Sequence, residues 1–267
     1  MLDQLLLNTR IHLRFFARNR LILALGAIAL AGAGLSLIPS LLFRSTVGRF
    51  ELLRMVVSQL SWLALVVIAG LGLFAVSGHL RGRSLKMVLT KPCSPEIWLG
   101  SVFLAAGIVA AGIYAALLLL TAALSFFWGV PFQSGFAFII IDGFLRALIW
   151  MSWLTALGTA FHPVLAALIA LFFQEGTLYW LKFMIASTTQ SRASSGLLAI
   201  LGNVVDAIYF SLPMVEPLSQ KTEPIYSSLR MATGDWDLLL PIAGYALLIL
   251  AFFYCVSDYL IRRKALI

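Results

Sequence analysis

The chain has 267 residues, 61% of them from the set AVILMFWYC and only 11% charged, where a soluble domain is about 45–50% apolar and about 25% charged. Its mean hydropathy is +0.99, and a monomer in water rarely exposes apolar patches on the scale this composition would force. At roughly 35–45 residues per crossing and connection, the length predicts about six or seven membrane spans and leaves no room for a separate soluble catalytic domain.

Residues 1–20 precede the first long apolar run, and Arg10, Arg14 and Arg18 repeat at i, i+4, i+8 on one helical face. This predicts an amphipathic interfacial helix. Ala31-Gly32-Ala33 resembles a signal-peptide cleavage site. The uncharged run continues from Leu21 to Leu42, however, roughly 33 Å as helix, which favours an uncleaved first span. The second span is predicted at 55–77. From Ile97 to Ile141 no residue is charged, and Gly129-Val130-Pro131 divides that run. The third span is then 97–128, with Trp98 and Trp128 expected at the two interfaces, and the fourth is 138–161. The tight His162-Pro163 connection leads to a fifth span at 163–186. Residues 187–237 carry more charge and enclose GLLAILGNVVDAIYFSLP at 196–213. That stretch is short for a span and is read as a re-entrant or interfacial hairpin, with a seventh span as the competing reading. The last span is 238–256, with Cys255 expected to be buried in it.

Nineteen basic residues stand against eleven acidic ones, and they lie in short segments between the apolar runs, a topological rather than a nucleic-acid pattern. Eleven precede span one, join spans two and three, or follow the last span. Seven lie on the other side, diluted by acids. This places both termini in the cytoplasm, as an even span count requires. The predicted fold is an all-α polytopic membrane protein with about six transmembrane helices. An interfacial helix at 1–20 would precede one transmembrane domain at 21–267, with a cytoplasmic segment at 79–96 and an outside segment at 187–237.

The stretch VSGHLRGRSLKMVLTKPCSPEIWLG (76–100) is basic and short. Leu85, Val88 and Leu89 stand at i, i+3, i+4, the spacing of an apolar stripe able to enter a groove. Arg81, Arg83, Lys86 and Lys91 surround it. On residues alone, the competing reading is a topological loop anchored to anionic headgroups.

Gly82-Arg83-Ser84-Leu85-Lys86-Met87-Val88-Leu89-Thr90-Lys91-Pro92-Cys93-Ser94-Pro95, followed by Leu99-Gly100, resembles the G-T-L-x-L-L-L-T-x-P-x-S-R-x-x-x-L-G-K segment of the ABC-2 type transporter permeases. The six-span layout, amphipathic N-terminal helix, long outside segment before the last span and short basic tail are similar too. This chain has Ser77-Gly78-His79-Leu80-Arg81 where the family carries an acidic cluster, and Pro95 and Ser101 where it carries Arg and Lys. The resemblance implies that Arg81, Arg83, Leu85, Lys86, Val88, Leu89 and Lys91 form a coupling helix against a separate ATPase subunit, which holds the ATP and Mg. It also implies pairing with a second permease copy, identical or a close paralogue.

Glu175, Asp142 and Arg146 are charged residues inside predicted spans. Glu175 lies about twelve residues into span five, where an ionisable group marks a path, a gate or a structural hydrogen bond. Asp142 and Arg146 are four apart and predict an ion pair along one face near the outer end of span four. No GxxxxGK[ST] or HExxH motif occurs, so the chain lacks a P-loop of its own and the zincin signature. Cys93, Cys255, His12, His79 and His162 lack metal-ligand spacing. The sequence therefore predicts an exporter permease in the inner membrane, binding no cofactor directly and no nucleic acid, and embedded in the lipid bilayer. Its outside segment is long enough to contact an extracytoplasmic partner. An integral membrane enzyme or assembly factor that works without an ATPase is the alternative.

Overall fold

The computed structural model describes residues 2–18, 27, 31, 48–81, 94–172, 175–191, 196–211, 222, 224–226, 228, 229, 231 and 234–265. In chain order these form α1 (Leu2–Arg18), α2 (Arg49–Arg81), α3 (Pro95–Trp128), α4 (Ser134–Ala160), α5 (Pro163–Phe172), α6 (Glu175–Ser191), α7 (Gly196–Ser211), a single 3-10 turn (Asp235–Leu238) and α8 (Leu239–Ala265). Among the described residues there is no strand. Helices α2, α3, α4 and α8 are long and apolar enough to cross a membrane, which makes this an all-α, membrane-embedded protein. The predicted first span, 21–42, lies outside the described residues apart from positions 27 and 31.

Helix boundaries follow local chemistry. Ser94 caps α3 by accepting from the Ile97 N–H at 3.4 Å, and Pro95 takes the first helical position, where its missing N–H leaves no bond unmade. Gly129, at φ 65°, ends α3 in the left-handed conformation that glycine adopts without steric penalty. Helix α4 stops at Phe161, whose backbone is extended, two residues before a proline that disfavours helical geometry at His162. The His162 Nδ1 then accepts from the Val164 N–H at 3.2 Å, which caps α5.

The bundle has two ends, fixed by side-chain contacts. At one end, His12 of α1 packs edge-on against Trp98 with ring centroids 5.8 Å apart. There Arg262 near the end of α8 bridges Asp258 at 2.7 Å and Glu96 of α3, and the Tyr254 hydroxyl donates to the Glu96 carbonyl at 3.0 Å. At the opposite end, Arg49 donates to the Trp128 carbonyl at 3.2 Å and Phe138 meets Trp236 with centroids 6.1 Å apart. Helices α2, α4 and α8 therefore run toward the first end and α3 runs away from it. The chain changes ends between Arg18 and Arg49, and Arg81 and Ser94 lie at the same end as α1 and the close of α8. Exposed Arg10, Arg14 and Arg18, with Arg262 and Arg263, make this the basic end.

Helix α4 sits centrally, packed against α2, α3, α5 and α8. Its seam with α2 is a backbone approach permitted by small residues, the usual device where lipid removes the hydrophobic drive between helices. A Cβ on Gly72 would overlap the Met151 carbonyl, and one on Gly158 would stand 2.8 Å from the Leu73 carbonyl. Thr155 Oγ1 donates to the Gly72 carbonyl at 3.2 Å and to its own-turn Met151 carbonyl at 2.7 Å. Gly72→Ala should lower stability by about 1–3 kcal/mol, the usual range for overpacking. Gly107→Ala, with nothing within 4 Å of the added atom, should change it by under about 0.5 kcal/mol. Thermal unfolding of the two purified variants checks the contrast.

Trp98, in the first turn of α3, is buried beneath α1; the His12 ring covers it. The Cys255 side chain lies on the outer surface of α8. Pro163–Phe172 form α5 and Glu175–Ser191 form α6, with residues 173 and 174 outside the described residues, and residues 196–211 are one continuous helix, α7. Helices α6 and α7 pack together as a hairpin. Lys182 pairs with Asp206 at 2.7 Å, and Ile185 meets Gly202. Both pairings sit at matching distances from the connection at 192–195, which makes the two helices antiparallel.

Candidate functional site

Asp142 stands about 12 Å along α4 from its first residue, at 1.5 Å per residue, and is completely buried. One turn on, Arg146 turns back and donates from Nε to Asp142 Oδ2 at 2.9 Å. The four-residue spacing brings the pair together as read from the sequence. The structure adds two partners from far along the chain. The Tyr226 hydroxyl donates to the same Oδ2 at 2.8 Å, and Arg146 Nη2 reaches Thr222 Oγ1 at 3.4 Å. Asp142 Oδ1, sealed from solvent, has no hydrogen-bond partner among the described residues.

The surroundings explain that sealing. Gly143 removes the side chain next to the carboxylate, so Ser61 of α2 and Tyr114 of α3 close in; an added Cβ would stand 2.5 Å from Ser61 Oγ and 3.1 Å from the Tyr114 ring. The Tyr114 hydroxyl donates across to the Ser61 carbonyl at 3.2 Å. Burial pushes the Tyr226 phenol well above its ordinary pKa, and the nearby Asp142 charge adds to the effect. The phenol therefore stays protonated and remains a donor.

Beside the cluster, between α2 and α4, lies a cavity of about 420 Å³ lined by Arg54, Ser58, Gln59, Phe136, Ile139 and Tyr226 among others. Arg54 pairs with Glu51 at 2.8 Å and donates to the Tyr226 carbonyl at 3.4 Å. A second hollow of about 400 Å³ between α3, α4 and α8, near Gly107, Phe144 and Leu250, is lined by apolar residues throughout. The first hollow has polar groups that can orient a ligand, and the second has only shape.

Of the residues singled out from sequence, Asp142 and Arg146 thus share a site. Glu175 is the first described residue of α6, after residues 173 and 174, which lie outside the described residues as does its own side chain. Arg81 closes α2, and its side chain likewise lies outside them. Arg83, Leu85, Lys86, Val88, Leu89 and Lys91 lie wholly outside the described residues. Sequence reasoning missed Tyr226, Thr222, Tyr114 and Arg54. Among the described residues no group of three or more His, Cys, Asp or Glu side chains is placed to hold a metal ion. Neither a protein-family model nor a curated protein matches the chain.

Proposed function

We propose that this chain is the transmembrane permease subunit of an ABC-2 type exporter, driven by a separate ATPase subunit that holds ATP and Mg. In this reading six helices span the cell membrane, with both termini in the cytoplasm. The segment carrying α7 re-enters or lies at the outer face between spans five and six, and a second permease copy completes the path. The observation that carries it is the resemblance of residues 82–100 to the coupling segment of that family. The described ends that this segment connects add support: the close of α2 and the start of α3 lie at the basic end, with Trp98 of α3 against His12 of α1.

A mechanism follows from the packing. A groove on the ATPase would take Leu85, Val88 and Leu89, with Arg83 and Lys86 as flanking charge contacts. Motion of that segment pulls on α2 and α3 directly. Helix α2 meets α4 backbone to backbone at Gly72 and Gly158, so displacement passes to α4 without soft side chains between them. Helix α4 carries Asp142 and Arg146 at its other half. Cavity, charged pair and Glu175 are then the polar features available to a substrate path, and α1 holds the start of α3 against the cytoplasmic leaflet.

Two measurements bear on this. A membrane-impermeant thiol reagent applied to intact cells should leave Cys93 unlabelled, and permeabilisation should expose it, because positive-inside charge puts the basic end in the cytoplasm. Labelling of Cys93 from outside would reverse the orientation and remove the ATPase from reach. Affinity purification of the tagged chain from its native membranes should carry a P-loop ATPase with it. Repeated purification without one would leave an integral membrane enzyme or assembly factor as the better reading.

A further inference from the structure

We infer that the cavity between α2 and α4 seats one glycerophospholipid of the leaflet opposite the basic end, with its phosphate at Arg54, its ester carbonyls at Ser58 and Gln59, and an acyl chain along Phe136 and Ile139. This occupant is read from the cavity itself and does not require an ATPase.

Depth makes the first part of the case. A span running from Arg49 to Ser77 has Leu63 at its middle. At 1.5 Å per residue, Gln59 lies about 6 Å from that middle and Arg54 about 13 Å. A hydrocarbon core about 30 Å thick then puts Arg54 near its boundary and Gln59 well inside. Ser58 and Gln59 are nevertheless exposed on the surface of α2, and neither side chain has a hydrogen-bond partner among the described residues. Hydrocarbon offers an amide no partner, so an unpaired Gln59 at that depth is costly. Both residues line the cavity of about 420 Å³. The groups that need a partner therefore border a space that can hold one.

The order of groups along α2 selects the ligand. Arg54 and Ser58 are four apart, as are Met55 and Gln59, so all four share one face. Arg54 stands about 6 Å nearer the boundary than Ser58. A glycerophospholipid has the same sequence of chemistry: phosphate outermost, two ester carbonyls one glycerol deeper, then hydrocarbon. Arg54 supplies a cation for the phosphate, and Glu51, 2.8 Å from it, can accept from a headgroup amine. The Ser58 hydroxyl and the Gln59 amide are donors for the two carbonyls, which only accept. Met55, Phe136 and Ile139 give the rest of the wall the apolar character that a chain requires. A free fatty acid fits less well. Its charge and its carbonyl sit on one carbon, so a carboxylate at Arg54 leaves Gln59 facing hydrocarbon.

The test is native mass spectrometry of the full-length protein, released from detergent after titration with dioleoyl phosphatidylethanolamine. The unaltered chain should hold one lipid more tightly than all others. Gln59→Leu, which makes a lipid-facing position apolar and so preserves insertion, should weaken that lipid by about fivefold or more, the scale of one lost hydrogen bond. Met55→Trp, which fills the cavity, should displace it, and Gly107→Ala in the other hollow should leave it in place. The sharper arm uses the dialkyl ether analogue, which keeps phosphate and chains but has no ester carbonyl. It should bind the unaltered chain about fivefold or more weakly than the diester, and Gln59→Leu should bind the two alike, because each change removes the same contact. Equal binding of diester and diether by the unaltered chain would overturn the seat. So would undiminished retention by both Gln59→Leu and Met55→Trp. If Gln59→Leu converts a dimer to a monomer while retention stays the same, Gln59 belongs to an interface between copies, and the lipid seat is wrong.

Discussion

Replacing Asp142 with Ala is expected to lower the folding stability of the protein by about 3–5 kcal/mol, the usual consequence of removing one partner from a buried ion pair. The Arg146 side chain is only 15% exposed, so without the carboxylate its guanidinium is left charged in a region where water is scarce. Tyr226 loses its acceptor at the same time. Removing both charges is a different experiment. With Asp142→Ala and Arg146→Met together no unpaired ion remains, and a well-packed apolar replacement for a buried pair is often neutral. The double variant should therefore be more stable than Asp142→Ala alone. That inversion separates a buried, coupled pair from two independent side chains. Asp142→Asn should fall between them, because the amide oxygen still accepts from Arg146 and Tyr226 while the charge is gone. Thermal unfolding of the four proteins in one lipid environment makes the comparison. If Asp142→Ala alone lies within about 1 kcal/mol of the unaltered chain, the pair behaves as an exposed surface bridge, and its place in a substrate path loses its physical basis.

Much of the bundle was legible because membrane helices advertise themselves by long uncharged runs. The uncharged stretch 97–141 and its Gly129-Pro131 interruption give α3 and the start of α4 to within a few residues. The Asp142–Arg146 pair was legible too, since helical periodicity alone places residues four apart on one face. What could not be read was everything that reaches across the chain. Tyr226 is 84 residues beyond Asp142, in a polar stretch without periodicity, and nothing in its neighbours marks it as a partner of the buried carboxylate. Hydropathy gives Trp98 the signature of an interface anchor. Only the docking of α1, which turns His12 onto it, makes it a core residue.

Both accounts of the basic end rest on the same eleven residues of sequence, from Arg81 to Lys91, and they predict opposite behaviour for its apolar stripe. In a topological loop Leu85 and Leu89 face headgroups or water, and acidic replacements leave orientation almost untouched because Asp and Glu contribute little to it. In a coupling helix the same two leucines are anchors at i and i+4 in a partner's groove, where a few buried side chains carry most of the binding energy. The decisive measurement is recovery of the ATPase subunit with the tagged, full-length chain carrying Leu85→Asp and Leu89→Asp together. The variant should insert and accumulate in the membrane like the unaltered protein, and the ATPase that accompanies the unaltered chain should be lost from the purified material. Recovery of the ATPase at the unaltered level would contradict the coupling role and, with it, the assignment of this chain as an exporter permease.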